Sequence, residues 1–290
     1  IHYVNLVDQW EVEKHELLPI IDKVLAQGHY VNGIDIDEFE ETVADHCSVK
    51  YAIALNSGTD ALTFALALLG IRRGDEVITA PNSFIATAAT IVHLGAQPVF
   101  VDVNKDQNIN TDLIEAAITE KTKAILPVHL TGRMANMNKI LEISQRYNLA
   151  VIEDSAQAIG SKLNNKLSGS LWDIGCFLTH PLKNLNACGD GGFLTTDNQK
   201  IYERAEMLRS HGLVTRELSK QFGYVSRMDS IQAAILNYRI SKLDQLIVKR
   251  RENAQYYFEN LDNKNIKLPF EKEEEFNTYH TFVIQTKDRD

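Results

Sequence analysis

The sequence predicts an α/β protein with a mainly parallel sheet covered by helices. Three observations point there. Short apolar runs rich in β-branched residues recur along the chain, and stretches of helical period separate most of them. The runs also lack the strict in-out alternation of a half-solvated sheet, so both faces are expected to be buried. With 290 residues, 44% hydrophobic and 24% charged, the chain has the composition of an ordinary globular protein and the length for one large core or two unequal ones.

The first strand is expected at 51–55 (YAIAL). It runs into Asn56-Ser57-Gly58-Thr59-Asp60, a turn and cap sequence, and then a helix over 61–69. A second strand, 76–80, follows the Gly74-Asp75 turn, and Pro81-Asn82-Ser83 leads into a helix over 86–94. Strands at 98–103 and 123–130, a helix over 137–147 and a strand at 150–154 continue the alternation. The strands at 175–179 and 191–196 lie closer together, so a hairpin is expected to interrupt the parallel pattern. Residues 231–261 read as one long helix. After it, 261–277 is rich in Lys, Glu and Asn and contains Pro269, which marks a boundary, and 280–286 reads as a lone strand. A single strand cannot make a domain. The expected division is a large domain over 1–262 and the start of a small C-terminal domain over 263–290, cut short. No repeat or low-complexity tract interrupts either part.

Acidic residues outnumber basic ones by 39 to 30, giving a net charge of -9. That balance argues against a nucleic-acid surface or an anionic-membrane binder, while leaving room for a local basic pocket. The three cysteines, Cys47, Cys176 and Cys188, have no CxxC spacing, so neither a disulfide framework nor a structural zinc site is indicated and a reducing cytoplasm is expected. No stretch approaches the ~20 apolar residues of a membrane span, and the opening residues do not read as an export signal.

Three constellations carry chemistry. Gly58 and Thr59 fall at a helix N-terminus just after a strand, where free amides, a hydroxyl and the helix dipole suit a phosphate; Ser57 or Thr59 also serves as a plain cap. Asp154 ends the apolar strand Val151-Ile152-Glu153-Asp154, at the sheet edge where open parallel sheets bind ligands, and taken alone reads equally as the cap of the next helix. Lys183 lies on the loop between the hairpin strands, where desolvation would let it form an imine, although most lysines are only solvated charges. The nearby Gly189-Asp190-Gly191-Gly192 leads into a strand and so is no dinucleotide fingerprint; its glycines are expected to permit a turn with positive φ. Pyridoxal phosphate (PLP) needs all three groups together: a phosphate anchor, an acid for the pyridine nitrogen and a lysine for the aldehyde.

Further blocks extend the pattern: Gly28-His29-Tyr30-Val31-Asn32-Gly33, SGTDAL from Ser57, GDEVI from Gly74, Pro81-Asn82-Ser83-Phe84-Ile85-Ala86-Thr87, Pro127-Val128-His129-Leu130, EDSAQA from Glu153, HPLKNL around Lys183, and Gly223-Tyr224-Val225-Ser226-Arg227-Met228 before Ile231-Gln232-Ala233-Ala234. With these the sequence resembles the DegT/DnrJ/EryC1/StrS family of PLP-dependent sugar aminotransferases, from its first residues to about its last. The resemblance implies a fold-type I, aspartate-aminotransferase-like subunit in a homodimer with shared active sites. The implied reaction moves an amino group from L-glutamate to a keto sugar nucleotide, as in amino-sugar biosynthesis. It implies that Lys183 is the Schiff-base lysine and Asp154 the partner of the pyridine nitrogen. Gln157 would approach the ring oxygen, Phe84 would stack on the pyridine face unless it is plain core, and Gly58 and Thr59 would cradle the phosphate.

Two departures stand out. Leu178 and Val225 occupy positions where the family commonly has a serine and an asparagine that reach the phosphate, the second across the subunit interface. Strand alternation points Thr179 away from where residue 178 points, so weaker phosphate binding, or a phosphate held mainly at Gly58 and Thr59, is expected; Ser226 is the other candidate substitute. Asn186 and Cys188 replace the family's usual glycine and a larger side chain. Besides the aminotransferase, a PLP-dependent sugar dehydratase of the same family and a non-catalytic homologue remain open. The first alternative replaces the lysine by histidine, and Lys183 argues against it. Retention of Asp154, Gln157 and Lys183 argues against the second. The sugar and nucleotide are not legible. Arg209, His211 and Arg227 are candidates for substrate or donor carboxylate contacts, or for salt bridges.

Overall fold

The computed structural model describes residues 4–262 and 264–287. Its centre is a seven-stranded sheet made of β1 (Tyr51–Leu55), β2 (Glu76–Thr79), β3 (Gln97–Phe100), β4 (Thr122–Leu126), β5 (Ala150–Asp154), β6 (Ile174–Leu178) and β7 (Gly192–Thr196). The spatial order is β1-β7-β6-β5-β4-β2-β3. Strands β3, β2, β4, β5 and β6 pair in parallel, and β7 runs antiparallel to both β6 and β1. The expected hairpin is therefore β6–β7. Because only β7 reverses, β1, β2, β4, β5 and β6 all end at the same edge, and the loops after them converge there.

Helices α1 (Leu6–Gln27), α2 (Ile34–Cys47), α3 (Gly58–Leu68), α4 (Ile85–His93), α5 (Met137–Tyr147), α6 (Gln199–Leu208), α7 (Ser230–Ile240) and α8 (Leu243–Asn260) complete the framework. The period-two geometry of each strand divides its side chains between two cores. Ile53, Leu55, Val77, Leu126, Ile152 and Ile174 pack under α3, α4 and α6. On the opposite face Ile78, Ile125 and Val151 meet α5, while Ala52, Ala54, Phe177 and Phe193 meet α2 and α7. Phe193 is the hub of the latter core. Its ring stacks on Phe177 at 4.5 Å and meets Phe39 edge-on at 5.6 Å.

Helix α3 has a side-chain cap, Ser57 Oγ accepting from the Asp60 amide at 3.1 Å, and is buried along most of its length between the sheet and its neighbours. Helix α5 coincides with its expected span because its ends are written locally: Asn136 caps the start and Asn148 takes the left-handed conformation that ends it. Helices α1 and α2 have no counterpart among the apolar runs, and α1 buries only Leu17 and Val24 fully.

Three expectations are corrected. The long helix over 231–261 is two helices; Ser241 Oγ turns back to the Tyr238 carbonyl at 2.7 Å, competing with the helical ladder at the break. Only Gln285–Thr286 of the 280–286 run is strand, paired with Ile266–Lys267. The preceding Thr278 and Thr281 amides bind instead to Gly132 and Thr131 carbonyls. Glu275–Phe276 pairs with Lys162–Leu163, which also pairs with Lys166–Leu167, so the C-terminal segment joins a small three-stranded sheet separate from the large one. The boundary expected after 262 falls at Asn263, which lies outside the described residues, as do 1–3 and 288–290. Finally, none of Gly189, Gly191 and Gly192 has positive φ. Close approach explains two of them: a Cβ on Gly192 would lie 2.5 Å from the Gly58 nitrogen, and one on Gly191 2.4 Å from Thr179 Oγ1.

Truncating the aromatic hub should be costly. Phe193→Ala is expected to lower unfolding stability by about 3–5 kcal/mol and Phe193→Leu by less than half as much, read from urea denaturation midpoints at constant m.

Candidate active site

At the edge where the parallel strands end lies a cleft, partly open to solvent, whose walls include Gly58, Thr59, Phe84, Asp154, Gln157, Leu178 and Lys183. All six residues expected at the site border it. Three different elements deliver the groups that matter most: α3, the end of β5, and the loop after β6.

Asp154 shares the face of Ile152 and is 4% exposed. Its Oδ2 accepts a hydrogen bond from Thr87 Oγ1 on α4 at 2.8 Å, and its Oδ1 accepts from the Ala156 amide at 3.2 Å. Since the Thr87 proton goes to Asp154, Ser83 must donate to Thr87 Oγ1, 2.7 Å away. Burial pushes the Asp154 carboxyl above its ordinary pKa, against the opposing pull of the Thr87 hydroxyl, the Ala156 amide, Lys183 and His129. Such a group keeps its charge best when a cation faces it from the cleft. Glu153, one residue earlier, points to the other side, where its oxygens accept from the Gly169 and Leu171 amides at 3.0 and 2.8 Å. His129 accepts from the Ala135 amide through Nδ1 at 3.2 Å, which leaves the proton on Nε2 to bind Glu153 at 3.0 Å. Two adjacent acids thus have opposite tasks, one consumed by the scaffold and one presented to the cleft.

Lys183 sits on the loop joining β6 to β7. Burial pushes its ammonium pKa down and Asp154 pulls it up. His280, from the C-terminal segment, places Nδ1 3.3 Å from Asn184 Oδ1. Burial, then the positive charges of Lys183 and Arg250, push His280 down to about 3, so it stands beside the lysine uncharged.

At the start of α3, Ser57 is the cap, and the Gly58 and Thr59 amides donate to no protein atom among the described residues. Leu178 rests on this end: a Cβ on Gly58 would be 2.7 Å from Leu178 Cβ. Thr179 points the other way, buried toward Gly191, as strand alternation requires. Gln157 Oε1 accepts from the Thr131 amide at 2.7 Å, which leaves the Nε2 protons for the cleft. Thr131 holds this position at φ 62°, a conformation that β-branched residues rarely adopt and that accumulates at functional sites. Phe84 is 74% exposed, which removes the alternative that it is core.

Several expected contacts lie elsewhere. Arg209 pairs with Glu40 and Glu206 and donates to the Ala54 carbonyl at 3.0 Å, securing the open edge of β1. His211 and Arg227 do not border the cleft. Val225 is half exposed and lies outside this cleft, consistent with a position expected to act across a subunit interface, and Ser226 is buried with its Oγ donating to Asn56 Oδ1 at 3.2 Å. Conversely, Thr87, Ser83 and Thr131 act on the cleft without having been singled out. The four-residue spacing of Ser83 and Thr87 at a helix start was the available signal. Among the described residues no group of three or more His, Cys, Asp or Glu side chains is placed to hold a metal ion, and no helix is long and apolar enough to cross a membrane.

Residues 11–290 match the DegT/DnrJ/EryC1/StrS aminotransferase family. The chain belongs to that family. It is 42% identical over 292 residues to the dTDP-3-amino-3,6-dideoxy-alpha-D-galactopyranose transaminase of Aneurinibacillus thermoaerophilus, covering 100% of this chain and 79% of that protein. The fold superposes on the crystal structure of S. venezuelae DesV with a TM-score of 0.97 at 35% identity, over 100% of this chain and 78% of the other. The structure of ntda from Bacillus subtilis, with the cofactor PMP bound, matches with a TM-score of 0.88 at 35% identity, over 95% of this chain and 64% of that one.

The Thr87 hydroxyl is the donor most readily tested. Thr87→Val should weaken retention of the cofactor by about tenfold or more, as expected for a hydrogen bond to a charged group, whereas Thr87→Ser should stay near wild type. Dialysis followed by absorbance titration with the coenzyme gives both values.

Proposed function

We propose that this family member is a PLP-dependent aminotransferase that moves the amino group of L-glutamate to a keto sugar nucleotide. The observation that carries the proposal is the convergence on one cleft of a buried carboxyl group, a partly desolvated lysine and a helix N-terminus with amides to spare, the three groups the cofactor requires. The residues present fit the cofactor. Among the described residues the Asp154 carboxyl is hydrogen-bonded only to neutral donors, and the α3 amides offer a seat for an anion.

When bound, PLP supplies an aldehyde carbon for the amino group and a pyridine ring that draws electrons from the reacting bond. Lys183 Nζ would be the amine that holds the cofactor's aldehyde and the base that moves a proton during amino transfer. Lowering of its pKa by burial favours the neutral amine that both tasks need. Asp154 keeps the ring nitrogen protonated through a charge-assisted hydrogen bond in a water-poor site. Gln157 Nε2, with the amide oriented by Thr131, would be the donor for the ring oxygen. The Gly58 and Thr59 amides would hold the phosphate, with no hydroxyl available from residue 178. Phe84 covers the ring. A homodimer accounts for the exposure of Phe84 and Ile85, at 74% and 70%, beside the cleft, because a partner subunit would cover them and close the site. Free cysteines and the absence of paired CxxC spacing support action in the cytoplasm.

Incubating the protein with glutamate and a panel of dTDP-, UDP- and GDP-linked keto sugars should yield an amino sugar detectable by mass. Borohydride reduction and peptide mapping should place the pyridoxyl group on Lys183, and Lys183→Ala should abolish turnover while still binding the aminated cofactor. Asp154→Asn is expected to slow turnover by about 10³-fold. An adduct on another lysine, or near-normal activity of Asp154→Asn, would contradict the assignment.

A further inference from the structure

The loop that carries Lys183 is tied to the first helix by a residue outside the cleft. Asn186 is 6% exposed. Its Nδ2 donates to the Pro181 carbonyl at 3.0 Å, closing the 181–186 loop across Lys183. The same nitrogen donates to Gln9 Oε1 on α1 at 3.0 Å, and Gln9 Nε2 returns a hydrogen bond to Asn186 Oδ1 at 3.3 Å. Two primary amides facing each other in this way fix one another's plane, since each supplies both donor and acceptor.

A third element locks the pair. Arg239 of α7 donates to the Asn186 main-chain carbonyl at 2.7 Å and pairs with Glu13 of α1 at 2.7 Å, with side chains only 9% and 14% exposed. Gln9 Nε2 also reaches Glu13 Oε1 at 3.2 Å. Helix α1 therefore lies along the back of the lysine loop, and Gln9, Glu13, Lys183 and Asn186 border one hollow there. Glycine or alanine at 186 would keep the main-chain bond to Arg239 but lose the bonds to Pro181 and Gln9.

We infer that Asn186 is a positioning residue for Lys183. By binding Pro181 and Gln9 together, it holds the 181–186 loop against α1 and fixes the direction from which the lysine amine enters the cleft. The inference rests on the role proposed for Lys183. An amine that must reach two carbons in turn depends on its angle of approach, and small misplacements of a proton carrier are expensive in rate.

The test uses Asn186→Ala and Gln9→Ala in the full chain. Without cofactor, amide exchange over residues 181–188 should quicken by about fivefold or more in Asn186→Ala, as for loss of buried hydrogen bonds, and less in Gln9→Ala, with α5 unchanged in both. With cofactor, the glutamate half-reaction should slow by about tenfold or more at unchanged KM, and the isotope effect with α-deuterated glutamate should rise. Loop exchange at the wild-type rate would overturn the inference. Faster exchange with unchanged rate and isotope effect would also overturn it, by making Asn186 merely structural. Should Asn186→Ala not fold, Gln9→Ala carries the same two readouts. Borohydride mapping of the wild-type protein separates the premise: an adduct away from Lys183 defeats the functional reading, whatever the loop does.

Discussion

A carboxylate buried at the end of β5 is the constraint around which the cleft is organised. Taking a charged carboxyl out of water is costly unless donors or a cation replace the lost hydration. Asp154 has two neutral donors, the Thr87 hydroxyl and the Ala156 amide, and Lys183 across the cleft. Those donors do not outweigh burial, so the carboxyl pKa lies above its ordinary value, and a further cation facing it from the cleft would favour its charged form. In the proposed function the ring nitrogen of the cofactor is that cation. Binding and activation are then one event, because the interaction that relieves the buried charge also makes the ring an electron sink.

The architecture supplies the remaining geometry. Strand alternation sends Asp154 toward α4 and Glu153 toward the opposite core, so neighbouring acids do not compete for one environment. The β6–β7 hairpin puts Lys183 on a loop beside the strand end that bears Asp154. Gly192 lets β7 approach the start of α3 within a distance that no side chain would permit. The C-terminal segment adds restraint from outside: Thr278 and Thr281 bind the loop holding Thr131, and His280 reaches Asn184 beside the lysine. Residues that touch the cleft are thereby fixed by others far from it in sequence.

What was legible in the sequence was local. The strand 51–55, the strand 150–154 and the helix 137–147 were readable because apolar period and caps lie within each segment. Local signals failed where long-range contact decides. The break at Ser241 depends on a back-bonded hydroxyl, and of the run 280–286 only Gln285–Thr286 is strand, with the Thr281 amide bound to the Thr131 carbonyl. The glycines before β7 serve close packing, which spacing alone does not distinguish from a turn. For the site, ordered motifs singled out Asp154, Gln157 and Lys183, and the fold brings them to one cleft. Thr87 escaped notice because its importance lies in facing the end of β5 from α4. For Arg209 the sequence left open a substrate contact or a salt bridge, and the fold shows the salt bridge, to Glu40, a partner remote in sequence.

The account stands most directly on the protonation of the bound pyridine ring. Nitrogen NMR of the protein reconstituted with ¹⁵N-labelled pyridoxal phosphate measures it without turnover. The ring nitrogen should carry a proton across the neutral pH range, with a one-bond N–H coupling that disappears in Asp154→Asn. An unprotonated ring nitrogen in the wild-type protein, or one whose protonation is indifferent to Asp154→Asn, would contradict the claim that this buried carboxyl group organises the site.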